Sequence, residues 1–271
     1  LAAVGQFRSR LFALLGGSTA LSDHLVAHPQ RWCSLLEPLP GSEELFRTIL
    51  AAVDAAPAGL EGDTASEDLT PPGTYRAGQE WSRHASATAP LREHYLTLMT
   101  RIAASDLAGA VGSREVTEYV TTLADAALTA ALAVAIRETY GDDDPDSRLA
   151  IMAMGKCGAR ELNYISDVDV IFVAEPATAP ATKTASTVMQ LGTACFFEVD
   201  ANLRPEGKSG ALVRTVDSHL AYYKRWAQTW EFQALLKARP MTGSAELGQR
   251  YIAALRPLVW EASQRTSFVE D

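Results

Sequence analysis

Residues 149–175 read LAIMAMGKCGARELNYISDVDVIFVAE, and the other segments can be arranged around this stretch. Residues 149–154 are an apolar run of strand length, and residues 155–158, Gly-Lys-Cys-Gly, interrupt it as a turn. We predict a short helix over residues 159–163 and a second strand over residues 167–173, which begins with alternation and becomes wholly apolar. The stretch therefore predicts two strands joined through a glycine turn.

Two aspartates stand at the start of the second predicted strand. Asp167 and Asp169 are two residues apart, so their carboxylates lie on one face, roughly 7 Å apart along the strand. An uncompensated charge is costly where an apolar strand begins. A divalent cation between the carboxylates would offset that cost, and Mg²⁺ is commonly held by one or two carboxylates together with substrate phosphates. The alternative is a strand whose aspartates simply face solvent.

A later stretch supplies a third carboxylate and a basic loop. Asp200 falls on a predicted strand over residues 198–204, and a further strand is predicted over residues 210–214. Three carboxylates can hold two metal ions about 4 Å apart, which clamp the entering and leaving oxygens of a displacement. Arg204 and Lys208, with glycines beside them, form a flexible basic loop that suits a polyphosphate.

A third segment has two possible interpretations. Trp230, Glu231, Lys237 and Arg239 are predicted to lie on a helix that follows the basic loop. Packing of that helix with an exposed basic edge is one interpretation, and contact between the basic edge and a phosphate is the other. The pattern alone is compatible with both.

The remaining sequence favours helices. Residues 1–56 are predicted to be mostly helical, whereas residues 57–90 are rich in Pro and Gly and predict an irregular linker. Helical spacing resumes at Pro90, and a long alanine-rich helix with a buried apolar stripe is predicted from Ser113 to about Tyr140. We therefore predict an α+β protein with three parts: a helical N-terminal region (1–146), a core with a small mixed sheet (147–243) and the start of a C-terminal helical region (244–271).

Composition narrows the possible functions. The chain has 271 residues, 47% hydrophobic and 21% charged, with a net charge of −9, which argues against a general nucleic-acid partner. No secretory signal and no apolar stretch of transmembrane length are expected, so we predict no membrane partner. Three widely spaced cysteines suit a reducing cytoplasm. The first residue is Leu rather than Met, and we expect a piece of a longer protein.

The arrangement of strand, glycine turn, short helix and Ser166-Asp167-x-Asp169 resembles the active-site core of the polymerase-β-like nucleotidyltransferases. Over a longer span, the sequence resembles the bifunctional glutamine synthetase adenylyltransferase/adenylyl-removing enzymes. The family patterns are G-K-x-G-x-x-E-L-x-x-x-S-D-x-D-x-x-F, V-D-x-x-L-R-P-x-G-x-x-G-x-L-V and W-E-x-x-A-L-x-[KR]-A-R. They are matched here by Gly155-Lys156, Gly158, Glu161-Leu162, Ser166-Asp167, Asp169 and Phe172; by Val199-Asp200, Leu203-Arg204-Pro205, Gly207, Gly210 and Leu212-Val213; and by Trp230-Glu231, Ala234-Leu235 and Lys237-Ala238-Arg239.

The resemblance implies an enzyme that acts on a modified protein. Residues 21–29 and the helix over 91–107 are similar to the N-terminal, adenylyl-removing half of the family, in which phosphate attacks adenylyl-tyrosine of glutamine synthetase to give ADP and free tyrosine. Glutamine synthetase, ATP or ADP and phosphate are thus the implied partners, with a PII-type signal protein as a candidate partner. The ATP-dependent adenylylation of the same tyrosine is the alternative, and a non-catalytic nucleotide-binding regulatory module is a second alternative.

The resemblance also assigns roles to residues. It implies that Asp167, Asp169 and Asp200 are catalytic and hold Mg²⁺ in a two-metal site. The residues expected to bind nucleotide or phosphate are Gly155, Lys156, Ser166, Arg204 and Lys208.

Overall fold

The computed structural model describes residues 2–58 and 73–264. Its α-helices are α1 (Ala2–Gly17), α2 (Thr19–Ala27), α3 (Ser42–Ala51), α4 (His84–Leu107), α5 (Ser113–Tyr140), α6 (Gly155–Gly158), α7 (Ala179–Cys195), α8 (Val216–Arg225), α9 (Thr229–Leu235) and α10 (Ala245–Ser263). The strands are β1 (Ala56–Pro57), β2 (Tyr75–Arg76), β3 (Arg148–Ala153), β4 (Val168–Glu175), β5 (Val199–Asp200), β6 (Val213–Arg214) and β7 (Arg239–Gly243). Short 3₁₀ helices span Pro29–Leu36, Gln79–Trp81 and Gly207–Ser209.

The main sheet is mixed and is built around the β3–β4 pair. β3 runs antiparallel to both β4 and β7, so it is the inner strand between them. The other edge of β4 pairs in parallel with two short strands in succession, first β5 and then β6. This arrangement confirms the predicted α+β fold with a small mixed sheet and a nucleotidyltransferase-like core.

Both faces of this sheet are covered by helices, which explains why β4 becomes a continuous apolar run. Val170 and Phe172 face the core shared with α4, α5 and α7, whereas Ile171 and Val173 face a second core formed by α8, α9 and α10. Asp169 alternates with Val170 and therefore lies on the same face as Ile171. The first core also contains residues of the N-terminal helices, so the helical region and the sheet share one apolar interior.

Several local predictions were wrong. The glycine turn itself is helical (α6), and residues 159–163 contain no helix. The strand predicted over residues 198–204 is reduced to β5, because a turn follows Asp200 directly. The helix predicted to carry Trp230, Glu231, Lys237 and Arg239 ends at Leu235, and Arg239 begins β7.

The predicted linker over residues 57–90 also differs in part. Residues 59–72 lie outside the described residues. Beyond them, β2 and a 3₁₀ helix precede α4, which begins at His84 and therefore contains Pro90 inside the helix rather than in its first turn. The three-part division of the chain remains a prediction.

One helix, α5, is long and apolar enough to cross a membrane by length and composition, contrary to our expectation that no stretch reaches that length. Within the described residues it is the single helix of this kind, and 94% of its apolar window is buried inside the fold. α5 packs against α3, α4 and α7, so its apolar surface serves the core.

Candidate active site

A glycine turn at the end of β3 brings the backbone against Asp169. The chain leaves β3, and the Met154 amide donates a hydrogen bond to the Asp169 carbonyl oxygen over 2.9 Å. Gly155 then adopts a φ of +52°, a conformation that residues with a Cβ rarely take. A Cβ atom at Gly155 would lie 2.4 Å from Oδ2 of Asp169. Glycine is therefore required here both for the backbone conformation and for the close approach to the carboxylate.

The three predicted aspartates meet at this turn. Asp167 immediately precedes β4 and is exposed, while Asp169 and Asp200 are half-buried. Asp169 and Asp200 are register partners on the parallel strands β4 and β5, which places their side chains side by side. One carboxylate oxygen from each of the three aspartates lies within 4.8 Å of the others.

Asp200 is held by a local turn. Its Oδ1 accepts a hydrogen bond from the Asn202 amide at 2.6 Å, and its Oδ2 accepts one from Nδ2 of Asn202 at 2.9 Å. This side-chain-to-backbone turn is typical of aspartate and ends β5 after two residues. The turn fixes the orientation of the third carboxylate.

The cluster carries unbalanced negative charge. Burial, together with the charges of Asp167 and Asp200, raises the pKa of Asp169 to about 6, although Lys156 acts in the opposite direction. None of the ion pairs formed by described residues involves the three aspartates. Carboxylates that repel one another in this way favour a bound cation.

The donor set fits a hard divalent ion. Within the described ranges this is the one group of three or more His, Cys, Asp or Glu side chains close enough to hold a metal. All of its ligand atoms are carboxylate oxygens, which suit Mg²⁺ and lack the sulfur or imidazole that zinc prefers. Asp167, Asp169 and Asp200 are thus the residues that could hold Mg²⁺.

The loop expected to bind phosphate is organised by Arg204. Its guanidinium donates hydrogen bonds to the carbonyl oxygens of Ala201 at 2.7 Å, Lys208 at 3.1 Å and Gly210 at 3.1 Å. Glu206 takes a φ of +64°, which helps the loop to close. Three N–H groups of Arg204 are therefore hydrogen-bonded within the loop itself, while the side chain of Lys208 is exposed.

The side chains of Lys156 and Ser166 lie next to one another, close to the carboxylate cluster. Nζ of Lys156 is 3.4 Å from Oγ of Ser166, and this hydroxyl donates to Oδ1 of Asn163 at 2.8 Å. Both side chains belong to the short connection between β3 and β4. This connection thus brings Gly155, Lys156 and Ser166 together beside the carboxylates.

The charged residues of the segment with two interpretations all bond to other groups of the protein. Glu231 is buried and takes part in a capping box with Gln228 at the start of α9, which is a packing role. Lys237 forms an exposed ion pair with Glu161 at 2.9 Å. Arg239 turns inward to Asp125 on α5, and the spacing of apolar residues in this alanine-rich helix predicted only packing there.

A mixed sheet with two aspartates after a glycine turn and a third on the neighbouring strand defines a nucleotidyltransferase-type protein. The family described as glutamate-ammonia ligase adenylyltransferase matches residues 76–254. The chain belongs to this family, as its resemblance predicted.

Curated relatives match nearly the whole chain. Three of them are called bifunctional glutamine synthetase adenylyltransferase/adenylyl-removing enzyme. The protein of Corynebacterium glutamicum is 56% identical, over 98% of this chain and 27% of its own length. The protein of Mycolicibacterium smegmatis is 50% identical, over 97% of this chain and 26% of its own length. The protein of Mycobacterium tuberculosis is 48% identical, over 97% of this chain and 25% of its own length. The chain spans about a quarter of the length of these relatives, whose names combine two opposed activities.

Proposed function

We propose that this chain removes adenylyl groups from glutamine synthetase by phosphorolysis. The observation that carries the proposal is the group of three carboxylates, within 4.8 Å of one another beside a glycine turn, in a member of this family. A scaffold that only binds nucleotide has no need of three mutually repelling carboxylates. We therefore favour an enzyme over a regulatory module.

The proposed reaction is a displacement at phosphorus. An oxygen of inorganic phosphate forms a bond to the phosphorus of the adenylyl group, and the bond from that phosphorus to the tyrosine oxygen breaks. The products are ADP and tyrosine, whose phenolate takes a proton from water. Phosphate is already an anion at neutral pH and needs no general base, while the phenol has a pKa near 10 and is an acceptable leaving group. Positioning and charge neutralisation can therefore provide most of the catalysis.

The residues divide this work. Asp167, Asp169 and Asp200 would hold Mg²⁺, which when bound neutralises charge that develops on the phosphoryl oxygens. Gly155 permits close approach of the backbone, and Lys156 and Ser166 lie where they could contact phosphate oxygens.

The basic loop has a more specific role than the sequence suggested. We propose that Arg204 shapes this loop through its bonds to the loop carbonyls, and that Lys208 provides the mobile charge for the attacking phosphate or the nucleotide. Removing Lys208 should then weaken phosphate binding, whereas removing Arg204 should also disturb the loop.

The direction of the reaction rests on the opening of the chain. Residues 21–29 resemble the opening of the adenylyl-removing half, and they form most of α2 and the first residue of a 3₁₀ helix beside α4. In this direction the attacking group is small, and a pocket with few cations is enough to orient it. Orientation of such a group can contribute several kcal/mol.

A test in both directions decides the proposal. The chain is incubated with Mg²⁺ and phosphate plus adenylylated glutamine synthetase, and separately with Mg²⁺ and ATP plus the unmodified protein. Mass spectrometry follows the modified tyrosine, and Asp169→Asn is the inactive control. We expect phosphate-dependent loss of AMP with release of ADP, and far slower attachment of AMP from ATP.

Two results would contradict this expectation. Rapid attachment from ATP without phosphate-dependent release would assign the chain to the adenylylating half. Binding of ADP without reaction in either direction would assign it to the regulatory class.

A further inference from the structure

The alanine-rich helix α5 carries a polar stripe. Glu118, Thr121, Thr122 and Asp125 follow the spacing i, i+3, i+4 and i+7, so they share one face of the helix. All four side chains contact the segment that follows the glycine turn or its partner in β7. Burying such polar side chains costs free energy unless each one has a hydrogen-bond or charged partner.

Arg160 satisfies three members of the stripe at once. Its Nε lies 2.5 Å from Oε2 of Glu118, and one terminal nitrogen donates to Oγ1 of Thr122 at 2.7 Å. Its other terminal nitrogen lies 3.4 Å from Oδ2 of Asp125. Arg160 takes a φ of +61°, so the chain bends sharply where these contacts hold it. The fourth member, Thr121, accepts a hydrogen bond from the Leu162 amide at 3.3 Å.

Arg239 joins the stripe to the glycine turn. One terminal nitrogen lies 2.7 Å from Oδ1 of Asp125 and also donates to the Cys157 carbonyl oxygen at 3.1 Å. Asp125 is only 2% exposed, so its charge is compensated by two guanidinium groups rather than by water. Removing one partner from such a buried group is expensive, which makes this arrangement rigid.

The turn is also packed from the side of β7. A Cβ at Gly158 would lie 2.1 Å from the Lys237 carbonyl oxygen, so the backbone of the segment that enters β7 touches the turn directly. At the other end of α6, Gly155 presses against the carboxylate of Asp169. A shift of the turn on its Arg239 side would therefore move the backbone that borders the carboxylate cluster.

We propose that Asp125, Arg160 and Arg239 form a positioning cluster, which holds the glycine turn against Asp169 from the side of α5 and β7. The three residues act through the carbonyl oxygen of Cys157 and the backbone of α6 rather than by touching the reacting atoms. The effect on turnover rests on the proposed function, whereas the effect on the turn itself does not.

Two conservative variants test the cluster. Arg239→Lys keeps the positive charge, but its side chain ends one atom short of the terminal nitrogen that contacts both Asp125 and the Cys157 carbonyl oxygen. Thr122→Val keeps the shape of the side chain and removes the acceptor for Arg160. The matched control is Arg137→Lys, also on α5, because Arg137 bonds the carbonyl oxygens of Ala77 and Gly141 away from the site.

Three measurements are made on each chain. Calorimetry gives the Mg²⁺ affinity, hydrogen exchange of the metal-free chain reports on the Gly158 amide, which donates to the Met154 carbonyl oxygen at 2.7 Å, and kinetics separate kcat from KM for phosphate. Both test variants should bind Mg²⁺ about tenfold more weakly, as is usual for residues that orient metal ligands. The Gly158 amide should exchange about tenfold faster, and kcat should fall while KM changes little.

The controls distinguish positioning from general stability. Arg137→Lys should lower the melting temperature without changing Mg²⁺ affinity or Gly158 exchange, and Thr122→Ser, which keeps the hydroxyl, should restore both. Wild-type exchange and Mg²⁺ affinity in the test variants would overturn the positioning cluster. A wild-type chain inactive in both directions would overturn the proposed function alone, since Gly158 exchange still reports on the turn.

Discussion

The two ends of β3 and β4 both carry acidic side chains, but their surroundings are opposite. At one end, Asp167, Asp169 and Asp200 crowd together without an ion pair among described residues. At the other end, the lining of a cleft of about 710 Å³ includes two arginines, Arg148 and Arg250, and four acidic residues, Asp146, Glu175, Asp217 and Glu246.

Two of the four acidic groups of the cleft are paired with arginines. Glu246 lies 2.8 Å from Arg148, and Glu175 pairs with Arg250. The cleft thus contains two ion pairs, whereas at the aspartate cluster three carboxylate oxygens lie within 4.8 Å of one another. The comparison teaches that carboxylates close enough to repel one another, rather than the number of acids or the presence of a cleft, mark the candidate active site.

The largest expected effect comes from removing one unpaired carboxylate. Asp169→Asn should lower kcat/KM at least 10³-fold, because a metal ligand supplies several kcal/mol of transition-state stabilisation. The metal-free protein should be as stable or more stable, since burial and the charges of Asp167 and Asp200 disfavour an ionised Asp169. Activity, Mg²⁺ calorimetry and thermal melts measure the three properties.

The matched change at the other end of β4 is Glu175→Gln. It removes an ion pair that is partly exposed, so the free energy of unfolding should change by no more than about 1 kcal/mol and activity should be retained. If Asp169→Asn lowered the melting temperature while Mg²⁺ binding persisted, Asp169 would be a structural residue like Glu175 rather than a metal ligand.

A second, smaller effect is expected at the glycine turn. Gly155→Ala would place a Cβ 2.4 Å from Oδ2 of Asp169, so the turn or the carboxylate must shift. Misplacement of a reacting group by about 1 Å can cost about 10²-fold in rate, and we expect a loss of this size together with weaker Mg²⁺ binding.

Gly141→Ala is the control for that variant. Gly141 ends α5 with a φ of +62°, but a Cβ there meets nothing within 4 Å. It should therefore carry the backbone cost of about 1–2 kcal/mol without loss of activity. Equal kinetic losses in the two variants would mean that strain, rather than contact with Asp169, explains the effect.

The stability of the metal-free protein and its stabilisation by Mg²⁺ should both depend on pH because of Asp169. Its pKa is raised from 3.8 to about 6, chiefly by burial and then by its acidic neighbours, so the folded metal-free protein keeps Asp169 protonated up to about pH 6. The contribution of this group to stability is thus full below about pH 4 and is lost as the pH rises through about 6. Mg²⁺ needs the ionised form, so stabilisation by Mg²⁺ should grow over the same interval.

Thermal melts at several pH values, with and without Mg²⁺, measure how the stabilisation by Mg²⁺ changes with pH. The pH-dependent gain on adding Mg²⁺ should be absent in Asp169→Asn. A gain that is independent of pH between 4 and 7 would show that Asp169 is not the group whose ionisation limits metal binding.

The smallest expected effect is the response to nucleic acid. With a net charge of −9 the chain should form no complex with single-stranded or duplex DNA at low salt in a gel-shift experiment. Tight binding that is lost on adding salt would contradict this prediction and would extend the candidate site to a basic surface.

The sequence was most informative where local pattern and tertiary burial agree. Val170 to Val173 are apolar because both faces of β4 are covered, and this run predicts a strand without further information. The spacing of Asp167 and Asp169 likewise predicts a shared face. Their meeting with Asp200 depends on the register of β4 and β5, for which the resemblance supplied the expectation.

The missed elements are those that tertiary contacts define. Residues 237–239 continue a helical pattern, yet Arg239 enters a strand because β3 offers it a partner and Asp125 accepts its guanidinium. Asp125 itself looked unremarkable as one acid in an alanine-rich helix. Its spacing from Glu118 and Thr122 was the available signal, because polar residues at i, i+4 and i+7 on an otherwise apolar helix indicate a buried polar partner.

The place of β7 in the sheet has a consequence for how the protein is made. In the pairing of β3 with β7, Ala150 lies opposite Gly243. During synthesis, β3 is therefore made well before the strand with which it pairs. Pairing of such distant segments is slow, because loop closure precedes any gain from contacts. A nascent chain that has emerged only as far as Arg214 already contains all three aspartates but lacks the strand that flanks β3. We expect such intermediates to bind Mg²⁺ poorly, so the enzyme remains inactive on the ribosome until β7 has emerged.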